Sequence, residues 1–320
     1  NIPDALAAAI ASSRSGNTHT IYNYKLYAAQ FATWIQTAHP DITDWSDIRP
    51  HIIQQYQASL EARGLAYDSI RQRMAVVRAT SRFFASNYPE YFRDYARAVR
   101  PAARKTPWRP EAIPTNAVLQ ILQYARESNP ALYPIMALQA ACGLRILEAI
   151  NLRECDHDPI RHTITIAPTD HHTPKNLSSH RTIPIPAPLS QLLSAIAPAR
   201  NPKGPNTYIF QPPLDPETPY PLDQISKSLT RIINNSRRDR GTPLILPRKL
   251  RSVFATEAAA AGAPQHYIQQ YMGHSPQTVI ERHYQQSAGL EQMRAAIADK
   301  MTPLFFSDIA TLLQTASSAH

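Results

Sequence analysis

The stretch Gly143-Leu-Arg-Ile-Leu-Glu148 places a charged residue between leucine and isoleucine, where one apolar helix closes and another opens. A guanidinium in such surroundings is poorly suited to a solvated surface. Glu148 follows Arg145 by three residues, a spacing that allows it to orient or neutralise the arginine. One interpretation is a structural salt bridge, and the other is an arginine held ready for an anionic group.

Two further polar insertions follow in the second half of the chain. Arg248-Lys-Leu-Arg251 leads into an apolar helical run, so a second arginine is set among hydrophobic residues. Farther on, Met272-Gly-His-Ser275 is followed by Tyr284, ten residues after His274. Taken singly, the histidine is typical of a helix cap and the tyrosine of core packing. Their combination, in this order, favours a shared chemical role.

This set of residues resembles the tyrosine recombinase (phage-integrase-type) family. The resemblance spans residues 115–286 by motif and extends to 15–100 as a general helical pattern. It implies a mainly α fold with a small antiparallel β-sheet, made of a helical core-binding domain and a catalytic domain. The residues that match the family pattern are Arg145, Glu148, Arg251, His274, Tyr284 and, in the Thr173-Pro-Lys-Asn loop, Lys175.

The resemblance also implies a mechanism for DNA strand breaking and rejoining. Tyr284 would attack a DNA phosphate, giving a 3′-phosphotyrosyl bond and a free 5′-hydroxyl. Arg145 and Arg251 would hold the phosphate with His274, and Lys175 would protonate the departing oxygen. Preorganised donors of this kind are each worth roughly 10²–10³ in rate. Because the covalent bond retains the energy of the phosphodiester, rejoining is predicted to need no ATP. The implied mechanism also requires no metal or other cofactor.

One position departs from the family pattern. Members usually carry histidine three residues before the second arginine, and this chain has Arg248 there. A guanidinium facing the phosphate adds charge stabilisation, and on that basis Arg248 is included among the predicted catalytic residues. It cannot act as a general base, however. His274 and His283 are the nearby alternatives for that role, and reduced activity is another outcome. Glu148 is predicted to support Arg145.

The basic charge is concentrated in one-seventh of the chain. The whole chain has 33 Lys+Arg against 24 Asp+Glu, a net charge of +9. Residues 63–109 hold 11 basic and three acidic residues and so carry +8 of it. Residues 69–85 form a predicted amphipathic helix, capped at Asp68-Ser69. The residues predicted to contact DNA phosphates are Arg71, Arg78 and Arg82 on one helix face, and Arg104 and Lys105; a solvated basic face is the alternative.

The pattern of apolar residues and prolines predicts four segments. They are a helical core-binding domain over 1–100, a Pro-rich basic linker over 101–114, a catalytic domain over 115–302 and a C-terminal tail over 303–320. An aromatic stripe from Tyr24 to Ile35 is predicted to be core. The elements predicted within the two domains are helices at 52–63, 118–125, 132–141, 222–237 and from Arg248 almost to the end, and strands at 163–167 and 181–185.

The tail over 303–320 carries apolar residues that need a partner surface. It can pack on its own domain, but the resemblance favours docking on a neighbouring protomer. The partners expected from the sequence are double-stranded DNA with inverted half-sites and a homo-tetramer on synapsed DNA, with no membrane association. Two cysteines and no secretion signal predict a cytoplasmic protein. The resemblance further implies association with the nucleoid and a role in integration, excision or resolution.

Three alternatives compete with this interpretation. Metal chemistry is the first, because histidines crowd one region near Cys155, but their spacing matches no standard zinc pattern. The second is a catalytically impaired recombinase relative that only binds DNA. The third is a type IB topoisomerase, which shares the chemistry. The histidines in question are His157, His162, His171, His172 and His180.

Overall fold

The computed structural model describes residues 1–12, 18–103, 113–172, 180–196, 207–211, 218–274 and 289–307. The protein is mainly helical with one small antiparallel sheet, which confirms the predicted fold class. The chain divides into two compact units, Asn1–Pro110 and Glu111–His320. Within the described ranges, no helix combines the length and apolar character that crossing a bilayer requires.

In its described residues, the first unit has four α-helices around an aromatic and aliphatic core. Phe31 is fully buried and packs edge-on against Tyr56, with ring centroids 4.8 Å apart. This packing confirms that the aromatic stripe belongs to the core. The helix bounds are α1 Ile2–Ala11, α2 Thr18–Ala38, α3 Pro50–Ala62 and α4 Tyr67–Asn87.

Helix α4 begins earlier than the sequence indicated. Its first residue is Tyr67 and its N-cap is Ala66, so the predicted Asp68-Ser69 cap is wrong. Asp68 instead lies in the first turn, where a negative charge favours the helix N-terminus. Most of the predicted linker, residues 104–112, lies outside the described residues.

The first three helices described in the second unit position Arg145 and Glu148. A completely buried α6 ends at Gly143, whose φ of +68° turns the chain sharply. A Cβ on Gly143 would lie 2.5 Å from the Phe254 ring, so this close approach requires glycine. The helix bounds are α5 Thr115–Ser128, α6 Tyr133–Cys142, α7 Ile146–Ile150 and, after the sheet, α8 Ala187–Ile196.

The sheet has three antiparallel strands in the order β1-β2-β3. They are β1 His157–Asp158, β2 Thr163–Ile166 and β3 Arg181–Pro184, which confirms the two predicted strands to within a residue. Ile164 pairs with Ile183, and Ile166 pairs with Arg181. Arg181 therefore has the same register as Ile183 and is buried like it.

The predicted helical run from Arg248 towards the C-terminus is divided. Gly262 (φ +77°) and Pro264 separate α10 from α11, and α11 ends at Gly273 (φ +58°). Arg248 lies in a 3₁₀ turn before α10. The helix bounds are α9 Leu222–Arg240, α10 Leu250–Ala260, α11 Gln265–Met272 and α12, which runs as Leu290–Met293, a π turn over Arg294–Ala298, and Asp299–Phe306.

The start of the predicted C-terminal tail belongs to the second unit. Helix α12 continues through Pro303, and the side chains of Phe305 and Phe306 are buried in the core of that unit. These apolar residues therefore find their partner within their own unit, the first of the two alternatives, and the boundary at residue 303 stays a prediction. Residues 308–320 lie outside the described residues, and docking on another protomer stays a prediction for them.

Candidate active site

Arg145 and Glu148 form a closed pair at the start of α7. Arg145 is the N-cap residue, and its backbone N–H donates to Glu148 Oε2 at 2.8 Å. Its Nη1 donates to Glu148 Oε1 at 2.6 Å and to the Met272 carbonyl at 3.4 Å. The Arg145 side chain is 45% exposed, so the rest of its guanidinium faces outward.

The Glu148 carboxylate is buried and accepts hydrogen bonds from three arginines. Besides Arg145, it accepts from Arg181, with Nη2 3.1 Å from Oε2, and from Arg251, with Nη1 3.5 Å from Oε2. Burial alone would raise the pKa of Glu148, but the charges and hydrogen bonds of Arg181 and Arg145 outweigh it and lower the pKa. Three cations on one anion leave the cluster with a formal charge of +2, suited to a phosphate.

Arg251 lies in the first turn of α10, where the buried Leu250 and Phe254 fix the orientation of the helix. Its Nη2 donates to the Met272 carbonyl, the same carbonyl that Arg145 contacts. Burial, followed by repulsion from Arg145, lowers the pKa of Arg251 to about 10. Arg251 therefore stays charged at neutral pH despite its surroundings.

His274 completes the group from the end of α11. Gly273, in the left-handed conformation, turns the chain so that the His274 N–H donates to the Gln269 carbonyl at 3.0 Å. Its Nε2 lies 3.2 Å from Arg251 Nη2. Burial, then the charges of Arg251 and Arg145, lower the pKa of His274. The imidazole is thus neutral at pH 7.

The structure brings together four of the predicted residues: Arg145, Glu148, Arg251 and His274. Arg248 is exposed, and among the described residues its guanidinium makes no hydrogen bond or ion pair. It is not part of the Glu148 cluster. The predicted general acid Lys175 and nucleophile Tyr284 lie outside the described residues, and their roles stay predictions.

Two residues near this cluster were not recognised from sequence as part of it. Arg181 contacts Glu148, and the signal was available, since a charged residue at the register of Ile183 and Ile185 interrupts an apolar strand face. His172 is half-buried, close enough for the Glu148 and Arg145 charges to act on it, and burial lowers its pKa. No sequence pattern indicates that position for His172.

Two of the other crowded histidines have separate partners. His157 Nε2 lies 2.8 Å from Ser190 Oγ, and His171 packs edge-on against Tyr208. His162 occupies the left-handed region, with φ of +46°. In the part of the chain that the structure describes, no three His, Cys, Asp or Glu side chains are grouped to hold a metal ion.

The predicted DNA-binding helix α4 presents its basic residues unevenly. Arg71 and Arg82 are exposed and Arg78 is half-buried. Arg73 takes a structural part instead, because it packs over the Tyr27 ring at 5.0 Å and donates to Gln30 at 3.0 Å. The other two predicted contacts, Arg104 and Lys105, lie outside the described residues.

The fold is that of DNA integrases. The Tn1549 transposon integrase in complex with transposon right end DNA is 17% identical, with a TM-score of 0.69 over 92% of this chain and 97% of that one. A lambda integrase tetramer bound to a Holliday junction is 16% identical, with a TM-score of 0.61 over 87% and 76%. At these identities the likeness shows a shared fold.

Family membership comes from the sequence itself. The model of the Phage integrase family matches residues 111–290, which is 180 of the 320 residues. The chain belongs to the phage integrase family, and thus to the tyrosine recombinases. The comparison with curated proteins found no match.

Proposed function

We propose that this protein is a site-specific DNA recombinase that cleaves and rejoins strands through a 3′-phosphotyrosyl intermediate. The observation that carries the proposal is the joining of Arg145 and Arg251 by one buried carboxylate, Glu148. The carboxylate thereby fixes the spacing of the two arginines, with the Arg145 side chain 45% exposed and the Arg251 side chain 12% exposed. Two such guanidiniums can bind the non-bridging oxygens of a scissile phosphate.

In the proposed reaction, the Tyr284 oxygen forms a bond to phosphorus as the bond to the 5′ oxygen breaks. The phenol proton passes to solvent water, and Lys175 gives its own proton to the departing oxygen, so charge and protons balance. Rejoining reverses these steps with a 5′-hydroxyl from another strand. The number of phosphodiester-type bonds is conserved, and the step therefore needs no ATP. The arginines supply positive charge at the phosphate, and the proposed scheme includes no metal ion.

His274 supports the charge on the phosphate in this scheme. Its Nε2 faces Arg251, and a neutral imidazole there has its other nitrogen available to donate. Arg248 contributes positive charge and no base function, because a guanidinium stays protonated. If that loss is decisive, the protein is a catalytically impaired recombinase-like protein that binds DNA only.

DNA binding is proposed to engage both units. Arg71, Arg78 and Arg82 are spaced by seven and four residues and so share one face of α4. With Arg104 and Lys105 they would neutralise phosphates, so the affinity should fall by about 0.9 log units per log unit of salt for each contact. Inverted half-sites, a tetramer on synapsed DNA and a role in mobile elements belong to the same proposal. The lambda integrase tetramer on a Holliday junction supports the assembly.

The proposal is tested by covalent capture on nicked duplexes whose cleaved 5′ end diffuses away. The wild-type protein and Tyr284→Phe are incubated with a duplex library and denatured, and the DNA attached to protein is sequenced. Attachment by the wild type alone supports the recombinase. Salt-sensitive binding without attachment by either protein would favour the impaired DNA-binding protein.

A further inference from the structure

Arg181 is a charged side chain with almost no access to solvent. It lies in β3, and its side chain is 3% exposed. Burial disfavours its charge and lowers its pKa, while Glu148 counters the effect. A cation removed from water in this way is costly unless its hydrogen bonds are satisfied. The contacts of Arg181 therefore indicate why a charge lies there.

Arg181 links two elements of the candidate active site. Its Nη1 donates to Glu148 Oε1 at 3.3 Å and its Nη2 to Oε2 at 3.1 Å, so both carboxylate oxygens are held from the sheet side. Its Nε donates to the Tyr271 carbonyl at 2.8 Å, at the end of α11. One rigid guanidinium thus joins α7, which carries Glu148, to the segment that carries His274.

The chain makes room for this guanidinium at Gly273. A Cβ on Gly273 would lie 2.5 Å from Arg181 Nη1. The absence of a side chain at Gly273 therefore permits both the left-handed turn before His274 and the close approach of the Arg181 guanidinium. Arg181 is thus buried beside Gly273 with its side chain 3% exposed, whereas the Arg145 side chain is 45% exposed.

We propose that Arg181 is a positioning residue for the strand cleavage proposed above. It fixes the Glu148 carboxylate and the end of α11 to each other, and through them the spacing of Arg145, Arg251 and His274. This inference rests on the proposed function. Misplacing reacting groups by about 1 Å can cost on the order of 10²-fold in rate.

The test compares Arg181→Lys with the wild type. Lysine keeps the charge but has a single nitrogen, which cannot span both Glu148 oxygens and the Tyr271 carbonyl. The matched control is Arg153→Lys, because Arg153 makes a similar two-point pair with Asp156, at 2.9 and 3.1 Å, outside the cluster. Single-turnover cleavage is measured at saturating DNA, at a temperature well below both melting temperatures.

We expect Arg181→Lys to cleave between roughly 10- and 100-fold more slowly. Its DNA affinity should be unchanged, and Arg153→Lys should cleave at the wild-type rate. Hydrogen exchange gives a readout that needs no cleavage. Loss of one positioning hydrogen bond should speed exchange of the Gly273 and His274 amides by up to roughly tenfold in Arg181→Lys.

An unchanged cleavage rate, or unchanged exchange at these two amides, overturns the positioning role. A lower melting temperature with a wild-type rate identifies a structural residue and also overturns it. Failure of the wild type to form any covalent adduct instead overturns the proposed function. In that case the exchange measurement still decides whether Arg181 holds Gly273 and His274.

Discussion

Arg251 Nη2 and His274 Nε2 lie 3.2 Å apart, and because a guanidinium can only donate, the imidazole nitrogen must accept. That arrangement requires an unprotonated Nε2 and places the proton of the neutral ring on Nδ1. Burial first, and then the positive charges of Arg251, Arg145 and Arg181, oppose protonation of His274, while Glu148 favours it. The pKa of His274 is therefore lowered by its burial and by the arginines around it.

The first prediction concerns the titration of His274 in the DNA-free protein. Because its pKa is lowered, the ring should protonate only below its ordinary value of 6.5. As the pH falls through the lowered pKa, the hydrogen bond to Arg251 should be lost. The measurement is an NMR titration of the imidazole, with His274→Asn assigning its resonance. A midpoint above 6.5 would contradict the geometry.

Glu148→Gln should destabilise the protein strongly. The substitution leaves buried guanidiniums without a counter-charge, which typically costs about 3–5 kcal/mol. The pKa of Glu148 is lowered in the folded state, so its stabilisation is present above the ordinary value of 4.5 and is lost as the pH falls through the folded pKa. The difference in the free energy of unfolding between the wild type and Glu148→Gln should therefore become smaller at acid pH.

Urea denaturation at neutral and acid pH measures this difference. The control is Glu127→Gln, since Glu127 pairs with Arg240 and its side chain is 48% exposed. Removal of such a surface pair changes stability by about 0–1 kcal/mol. Equal losses from Glu148→Gln and Glu127→Gln would show that the cluster does not depend on its carboxylate.

A pair of glycine substitutions separates backbone strain from crowding. Gly262 and Gly273 both have positive φ, but a Cβ on Gly262 would meet nothing within 4 Å. Gly262→Ala should therefore lower the free energy of unfolding only by the cost of a left-handed backbone conformation for alanine, about 1–2 kcal/mol. Gly273→Ala should lose about 1–3 kcal/mol more in the free energy of unfolding, because Arg181 must move. Equal losses in the free energy of unfolding from the two substitutions would show that Arg181 does not lie as close to Gly273 as the structure indicates.

Arg248→His tests the departure from the family pattern. Arg248 is exposed and has no partner among the described residues, so the free energy of unfolding should change by less than about 0.5 kcal/mol. A histidine can act as a base, and single-turnover cleavage should become at least roughly tenfold faster at pH 7. Arg248→Gln, which removes the charge without adding a base, is the control. Equal rates for the two variants would show that no base is needed there.

Much of this site could be predicted from the sequence, because the charged residues of the site interrupt apolar patterns. Arg145 and Arg251 stand out against hydrophobic neighbours, and the structure brings both to Glu148. Arg181 interrupts the apolar face of β3 in the same way, at the register of Ile183, and this pattern was the available signal for its burial. Its partner Tyr271 is 90 residues away, a pairing that only tertiary structure reveals.

Helix interruptions were harder to anticipate than helix positions. Gly262 and Pro264 end α10 and start α11 within an otherwise periodic run, and their turn depends on how the two helices pack. Pro303 has the opposite outcome, since α12 continues through it. Burial of Phe305 and Phe306 in the core favours the helix despite the missing N–H. Such outcomes are decided by packing, which local propensity does not encode.

In the proposed reaction, Tyr284 is the residue that becomes joined to DNA. Trypsin cuts after Arg282 and Arg294, so Tyr284 is the sole tyrosine of the peptide 283–294, while Tyr267 and Tyr271 fall on the peptide 252–282. The decisive measurement is mass spectrometry of the captured complex after nuclease and trypsin digestion. We predict a nucleotide 3′-phosphate on peptide 283–294, with a 5′-hydroxyl on the released strand. Attachment to another peptide, or a 5′-phosphate on the released strand, would contradict the account.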